Sequence, residues 1–210
     1  MARELHDHYF HQAKRDGYRS RAAYKLKEIN ERRKVLSRGD WVLDCGAAPG
    51  SWLQVAAEAV GPRGGVLGVD LQPIEPNFRA ATISVAQADL RTAEDAALLA
   101  PLPRDRSTWD VVLSDMAPST VGDRSADHHG SVRLCHLVLD RCRVLLRPGG
   151  NLVMKVLEGE AYPELLAATK SVFESVKGFK PKASRSDSTE IFIVALGYRP
   201  PAEEDAAAAD

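Results

Sequence analysis

Cysteine is scarce in this chain, which holds only Cys45, Cys135 and Cys142 among its 210 residues. The number is odd and the spacings match no paired zinc ligand set. Neither a disulfide framework nor a cysteine metal site is therefore expected, and burial in a reducing compartment is the reading. Cys135 and Cys142 stand two turns apart on one helical face. His6, His8 and His11 lie in a short polar segment with no ladder of carboxylates to complete a metal centre, so no metal is expected. Long apolar runs are missing too. No stretch approaches the roughly 18 residues that a membrane-spanning helix needs, and the opening Met-Ala-Arg-Glu-Leu-His does not read as a secretion signal. These absences point to a cytoplasmic protein with no membrane partner, and the polar surface patterning to a monomer.

The formal net charge is only −1, with 28 Lys or Arg against 29 Asp or Glu. That near-balance conceals an asymmetry: residues 1–38 carry eleven basic and five acidic side chains, a net of +6. A basic arm thus precedes an acidic body, and such an arm serves either as a solvated helix face or as a contact for nucleic-acid phosphates. With 44% hydrophobic and 27% charged residues the composition is that of an ordinary globular protein. The length suits one α/β domain. The expected division is an arm over 1–38 packed on a body over 39–199, then a tail over 200–210 whose Ala, Glu and Asp predict disorder.

The stretch from Trp41 to Trp52 organises the rest. Trp41-Val-Leu-Asp-Cys45 suits a buried parallel strand, residues 46–50 a tight turn, and Ser51 opens a helical pattern through Trp52, Leu53, Val55, Ala56 and Ala59. Strand, glycine turn and helix in that order open a nucleotide-binding α/β unit, in which ligand lies against bare backbone. The turn Gly46-Ala-Ala-Pro-Gly50 lacks the third glycine of the dinucleotide fingerprint and has proline where a pyrophosphate would need an N–H donor. A cofactor without phosphates is favoured, and S-adenosyl-L-methionine fits. Asp70, ending Val66-Leu-Gly-Val-Asp70, is spaced to hold ribose hydroxyls.

The arm segment Tyr18 to Asn30 predicts a helix capped by Ser20. Ala23, Leu26 and Ile29 form its packing stripe, with Arg21, Lys25, Lys27 and Glu28 on the other face. Later strands are predicted at Thr82–Ala86, along Trp109 to Pro118 as a strand running into a loop with Asp115 at its carboxyl edge, at Asn151–Leu157 with Lys155 near its carboxyl end, and at Glu190–Leu196. Asp89, past the third strand, either accepts from an adenine amino group or caps a helix over 91–99. Residues 119–130 read as a polar, mobile loop, 131–146 as a helix, and 162–173 as another. A lysine inside so apolar a run as that around Lys155 must be paired, solvent-facing or functional. If the last strand runs antiparallel, Glu190 joins Asp115 and Lys155 at one sheet edge, and Lys25 can supply a fourth corner. Two amines and two acids around a methyl donor suit deprotonation of a weakly acidic hydroxyl and in-line attack on the sulfonium methyl. A second lysine and desolvation favour a neutral base while the carboxylates oppose it.

At these positions the chain resembles the FtsJ (RrmJ) family of ribosomal RNA 2′-O-ribose methyltransferases, from about Asp7 to Arg199. The resemblance is carried by Arg19-Ser-Arg-Ala-Ala-Tyr-Lys25-Leu, Asp44-Cys-Gly-Ala-Ala-Pro-Gly50-Ser-Trp52, Val69-Asp70-Leu-Gln-Pro, Gln87-Ala-Asp89, Ser114-Asp115-Met-Ala-Pro118, Val153-Met-Lys155-Val and Ser188-Thr-Glu190-Ile-Phe-Ile-Val. It implies a Rossmann-like class I methyltransferase fold: a seven-stranded, mostly parallel sheet with the last strand antiparallel and helices on both faces. It also implies a catalytic tetrad of Lys25, Asp115, Lys155 and Glu190, with Lys155 the proton acceptor. Contacts to S-adenosyl-L-methionine would come from Gly50, Trp52, Asp70, Asp89 and Asp115. The implied substrate is a uridine of 23S ribosomal RNA in the large ribosomal subunit, with transfer RNA as the alternative. The chain departs from the family at Ser51, where a second glycine is common.

Two rivals remain. An amino-group methyltransferase would present Pro-Pro and a stacking aromatic after the fourth strand, where this chain has Asp115-Met-Ala-Pro118. A module that binds RNA without turnover would fit the basic arm but gives no reason for a complete tetrad. Arg19, Arg21, Lys27, Arg32, Arg33 and Lys34, with Lys180, Lys182 and Arg185, are the candidates for one basic surface, on which few aromatics predict little base stacking.

Overall fold

Short apolar runs buried on both sides build the centre of a sheet that is covered on both faces, and seven strands pair here. The computed structural model describes residues 2–119, 122–185 and 188–201, with side chains from residue 8 onward. The strands are β1 (Trp41–Cys45), β2 (Gly65–Asp70), β3 (Ile83–Gln87), β4 (Trp109–Ser114), β5 (Leu146–Leu157), β6 (Phe173–Phe179) and β7 (Glu190–Tyr198). The helices are α1 (Ala2–Asp16), α2 (Ala23–Arg33), α3 (Ser51–Val60), α4 (Asp95–Leu99), α5 (Arg124–Leu145) and α6 (Tyr162–Val172). The sheet order is β3-β2-β1-β4-β5-β7-β6. Strands β1 to β5 pair in parallel, whereas β7 enters antiparallel between β5 and β6. Strand order reverses between β1 and β4, and open α/β sheets bind ligands at the carboxyl ends of strands beside such a switch.

Period two sorts the core into two layers. Val42, Val111, Leu113, Val153, Phe192 and Val194 join Leu26 and Ile29 of α2 and Leu53 of α3 on one face. Leu43, Val112, Leu152, Met154 and Ile193 join Leu98 of α4, Val138 of α5 and Leu165 of α6 on the other. The basic arm is held by burial: Leu26 and Ile29 are 0% exposed, each worth roughly 2 kcal/mol.

Six local expectations are corrected. Helix α2 begins at Ala23 with Ala22 at its cap and no side-chain capping bond; Ser20 sits one turn earlier, its carbonyl accepting from Ala23 N–H. Lys25, read as outward-facing, is buried at 8%, because that side of α2 lies over the end of the sheet. Much of the expected loop over 119–130 is helical, since Asp123 caps α5 by accepting from the N–H groups of Ser125 and Ala126 at 2.8 and 3.0 Å. Residues 173–179 form strand β6, where a helix end and a basic stretch are expected. Thr82 precedes its strand by one residue. Helix α1 occupies the polar histidine-bearing segment that carried no helical expectation. The expected disordered tail from residue 202 onward lies outside the described residues.

Candidate active site

The turn after β1 folds over the end of β2. Gly46 and Ala47 donate their N–H groups to the Val69 carbonyl at 2.8 and 3.2 Å, and the Asp70 carboxylate accepts from the N–H groups of Ala48 and Gln72 at 2.9 and 2.8 Å. Gly46 has φ 75°, and a Cβ there would lie 2.5 Å from Met116 Cγ and 2.9 Å from its Cα. Glycine thus lets the Asp115–Met116 segment come flush against the turn. Between turn, α2 and α3 opens a cavity of about 130 Å³, bordered by Ser20, Ala22, residues 46–49, Ser51, Trp52 and Asp115.

Asp115 borders this cavity, and Asp44 and Asp70 stand within electrostatic reach behind the turn. Asp44, on β1, is fully buried, and neither of its carboxylate oxygens has a hydrogen-bond partner among the described residues. Desolvation, reinforced by the charges of Asp115 and Asp70, pushes its pKa well above the usual carboxylate range. Three mutually repelling acids and a proline-bearing turn disfavour a phosphate ligand and suit one with a positive centre. S-adenosyl-L-methionine, with a sulfonium, an ammonium and no phosphate, meets those requirements.

The four sequence-marked amines and acids come together on the face covered by α2. Lys155 shares the parity of Val153 on β5, and Glu190 that of Phe192 on β7, so both side chains belong to the α2 layer. Lys155 stands opposite Phe192, and Glu190 opposite Leu157. Asp115 follows Ser114, the partner of Met154, which brings it level with Lys155. Lys155 Nζ lies 2.9 Å from Asp115 Oδ1 and donates to the Asp115 carbonyl at 2.6 Å. Lys25 Nζ lies 2.5 Å from Glu190 Oε1. Burial, the largest influence on Glu190, raises its pKa; the charge and hydrogen bond of Lys25, the neighbouring Ser184 hydroxyl and the charge of Lys155 together outweigh it and hold the carboxyl below its ordinary value.

Trp52, expected at the cofactor, has its indole 2% exposed. The ring lies 5.6 Å from that of Phe192, and Nε1–H donates to the Ala22 carbonyl at 2.9 Å, the same oxygen that accepts the Lys25 N–H. Its indole therefore anchors the helix carrying Lys25. Gly50, φ 106°, caps α3. Asp89 lies beyond β3, away from the two ion pairs along the strand order. Its carboxylate takes the side-chain hydrogen bonds of Arg91, the nearest at 2.6 Å, and then the Arg91 N–H, which pull its pKa down. It caps no helix, since α4 starts after Glu94. Ser51 faces Ser20, their hydroxyls 2.8 Å apart, so serine in the place of a second glycine adds a tie between arm and turn. Asp44 and this serine pair went unmarked in the sequence. An acid ending an apolar strand ahead of a glycine turn was the available signal for Asp44; the serine pair left none.

The FtsJ-like methyltransferase family matches over residues 18–198. A ribosomal RNA large subunit methyltransferase E of Syntrophobacter fumaroxidans is 47% identical, over 95% of this chain and 99% of its own length. The enzyme of that name from Methanosarcina mazei is 44% identical, over 92% of this chain and 70% of its own. Among solved structures, a Plasmodium falciparum protein described as a ribosomal RNA methyltransferase superposes with TM-score 0.77 at 27% identity, over 88% of this chain and 100% of its own. Fibrillarin of Aeropyrum pernix, crystallised with natively bound S-adenosyl-L-methionine, shares the fold at TM-score 0.56 and 19% identity, over 83% of this chain and 73% of its own. The chain belongs to the FtsJ-like methyltransferase family, and its methyl donor is S-adenosyl-L-methionine.

Proposed function

We propose that the protein methylates the 2′-hydroxyl of a ribose in ribosomal RNA of the large subunit, a uridine being the nucleotide, with Lys25, Asp115, Lys155 and Glu190 as its catalytic tetrad. The observation that carries this reading is the pair of lysine–carboxylate contacts, Lys155 with Asp115 and Lys25 with Glu190, on one face of the sheet, with Asp115 bordering the cavity at the cofactor turn. Bound there, S-adenosyl-L-methionine supplies an electrophilic methyl carbon on a sulfonium leaving group. A sugar hydroxyl is a weak nucleophile, and Lys155 in its neutral form takes the proton as the oxygen attacks. The Asp115 carbonyl accepts from Lys155 and its carboxylate stands within ion-pair distance of the same amine, which together fix the amine beside the hydroxyl. Glu190, kept ionised by Lys25, favours the ammonium that Lys155 becomes. Asp70, Gly50 and the backbone at Trp52 hold the donor, with Asp89 at its adenine end.

The RNA face follows from the same side of the molecule. Glu28 of α2 accepts from the Lys182 N–H at 2.7 Å, and Arg33 donates to Ser175 of β6 at 3.4 Å. These contacts draw the basic stretch 180–185 beside the arm, so exposed Arg32, Lys34, Lys180 and Lys182 form a continuous surface for phosphates. The test is Lys155→Ala, assayed for methyl transfer to large ribosomal subunits and, separately, for cofactor binding. Transfer falls by at least about 10²- to 10⁴-fold with cofactor affinity unchanged. Near-normal transfer removes Lys155 from its role.

A further inference from the structure

Arg19 stands between α1 and α2, six residues before Lys25, and its charge alone assigns it to the surface that meets phosphates. Its guanidinium is already committed elsewhere. Nη1 donates to the Pro49 carbonyl at 2.8 Å, Nη2 donates to the Glu75 carbonyl at 2.6 Å and to Asn77 Oδ1, and its plane lies 3.7 Å over the centre of the Phe78 ring. The Arg19 backbone N–H donates to Gln54 of α3 at 2.9 Å. One residue thus joins the arm, the turn over 46–50 and the segment over 71–80 that follows Asp70.

That segment sends Ile74 into the core, with Phe78 and Ala80 packed against it, and its remaining side chains are exposed. Gln72 N–H and the Leu71 carbonyl are tied near Asp70 and Gln87, and Phe78 N–H closes a local turn on Pro76. Phe78 also fills the space beside Gly50, where a Cβ would lie 2.7 Å from the ring edge. Arg19 therefore presses Phe78 and its segment against the turn. A forked, planar cation donates to several oxygens and stacks on a ring at once; a lysine ammonium supplies the charge without that geometry.

We infer that Arg19 is a positioning residue for the methyl donor, which acts by clasping residues 71–80 to the cofactor turn, and that it is not a phosphate contact. The inference rests on the donor site at that turn and independently of which RNA is methylated. Cofactor binding measured without RNA therefore tests it even where transfer to ribosomes fails.

The experiment compares Arg19→Lys, Arg19→Ala and Phe78→Leu with the parent, by calorimetric titration of S-adenosyl-L-methionine and by steady-state transfer to large ribosomal subunits. Arg19→Lys and Arg19→Ala each weaken cofactor binding about tenfold, the scale of losing one charged hydrogen bond. The cofactor KM rises in step and the KM for subunits stays unchanged. Phe78→Leu acts in the same direction, and its effect combined with Arg19→Lys is less than multiplicative because the two share one contact. The inference is overturned if Arg19→Lys binds cofactor like the parent, or if Arg19→Ala weakens only subunit binding and flattens its salt dependence.

Discussion

Asp44 and Glu190 show how a carboxylate's surroundings decide its behaviour, and they make opposite predictions with pH. Glu190 titrates below its ordinary 4.5. A depressed folded-state pKa stabilises the fold above the unfolded value and is lost as pH falls through the folded one. The Lys25–Glu190 pair is therefore fully formed at neutral pH and fades only on acidification below 4.5. Chemical denaturation of Glu190→Gln against pH should lack that acid limb; an unchanged limb would show that the pair contributes nothing to folding. Asp44 titrates well above 3.8, so its contribution is fully present below the unfolded pKa and is lost as pH rises toward the folded one. The denaturation midpoint of the cofactor-free parent should decline as pH rises above 3.8, whereas that of Asp44→Asn should stay flatter. Equal slopes would contradict the account of Asp44 as a buried acid without partners. Lys155, Asp115 and Glu190, which the structure brings into two lysine–carboxylate contacts, were legible at this scale because a lysine in an apolar run and acids at strand ends violate the pattern around them. The burial of Lys25 was not, since helical spacing alone sets it among charged neighbours, and only the sheet beneath turns that side inward.

At the scale of elements, the arm matters because it carries Lys25, and Trp52 fastens it. In Trp52→Phe the ring contact with Phe192 can persist while the bond to the Ala22 carbonyl is lost. Stability should fall by about 1–2 kcal/mol, and amide exchange should quicken in α2 more than in α3. Uniform quickening across both helices would mean that Trp52 is merely core. Strands β1, β2, β4 and β5 could be read from their apolar runs and the turns that bound them. Strand β6 could not: Phe173-Glu-Ser-Val-Lys-Gly-Phe179 is an edge strand, mostly half-buried or exposed, so it lacks the alternation of a strand packed on one face. The start of α5 was hidden by its polar first turns, which depend on the Asp123 cap and on the burial of His128 at 3%.

For the whole molecule, the antiparallel entry of β7 is the decisive topological fact, because it brings Glu190 from the start of its strand to the end of β5. Acids and amines separated along the chain then pair on one face of the sheet, with Asp115 at the cavity beside the turn over 46–50. RNA affinity should fall steeply with salt, and charge-neutralising changes at Lys180 and Lys182 should lower the logarithmic slope by about one per lost phosphate contact. Salt-independent binding would detach the basic surface from RNA. The most direct measurement uses tritiated S-adenosyl-L-methionine with large ribosomal subunits from cells lacking the protein, and locates the label in digested RNA. The expected result is label on a ribose 2′-oxygen, seen as an alkali-resistant dinucleotide and absent with Lys155→Ala. Label on a base, or undiminished labelling by that variant, would contradict proton removal from a sugar hydroxyl by Lys155.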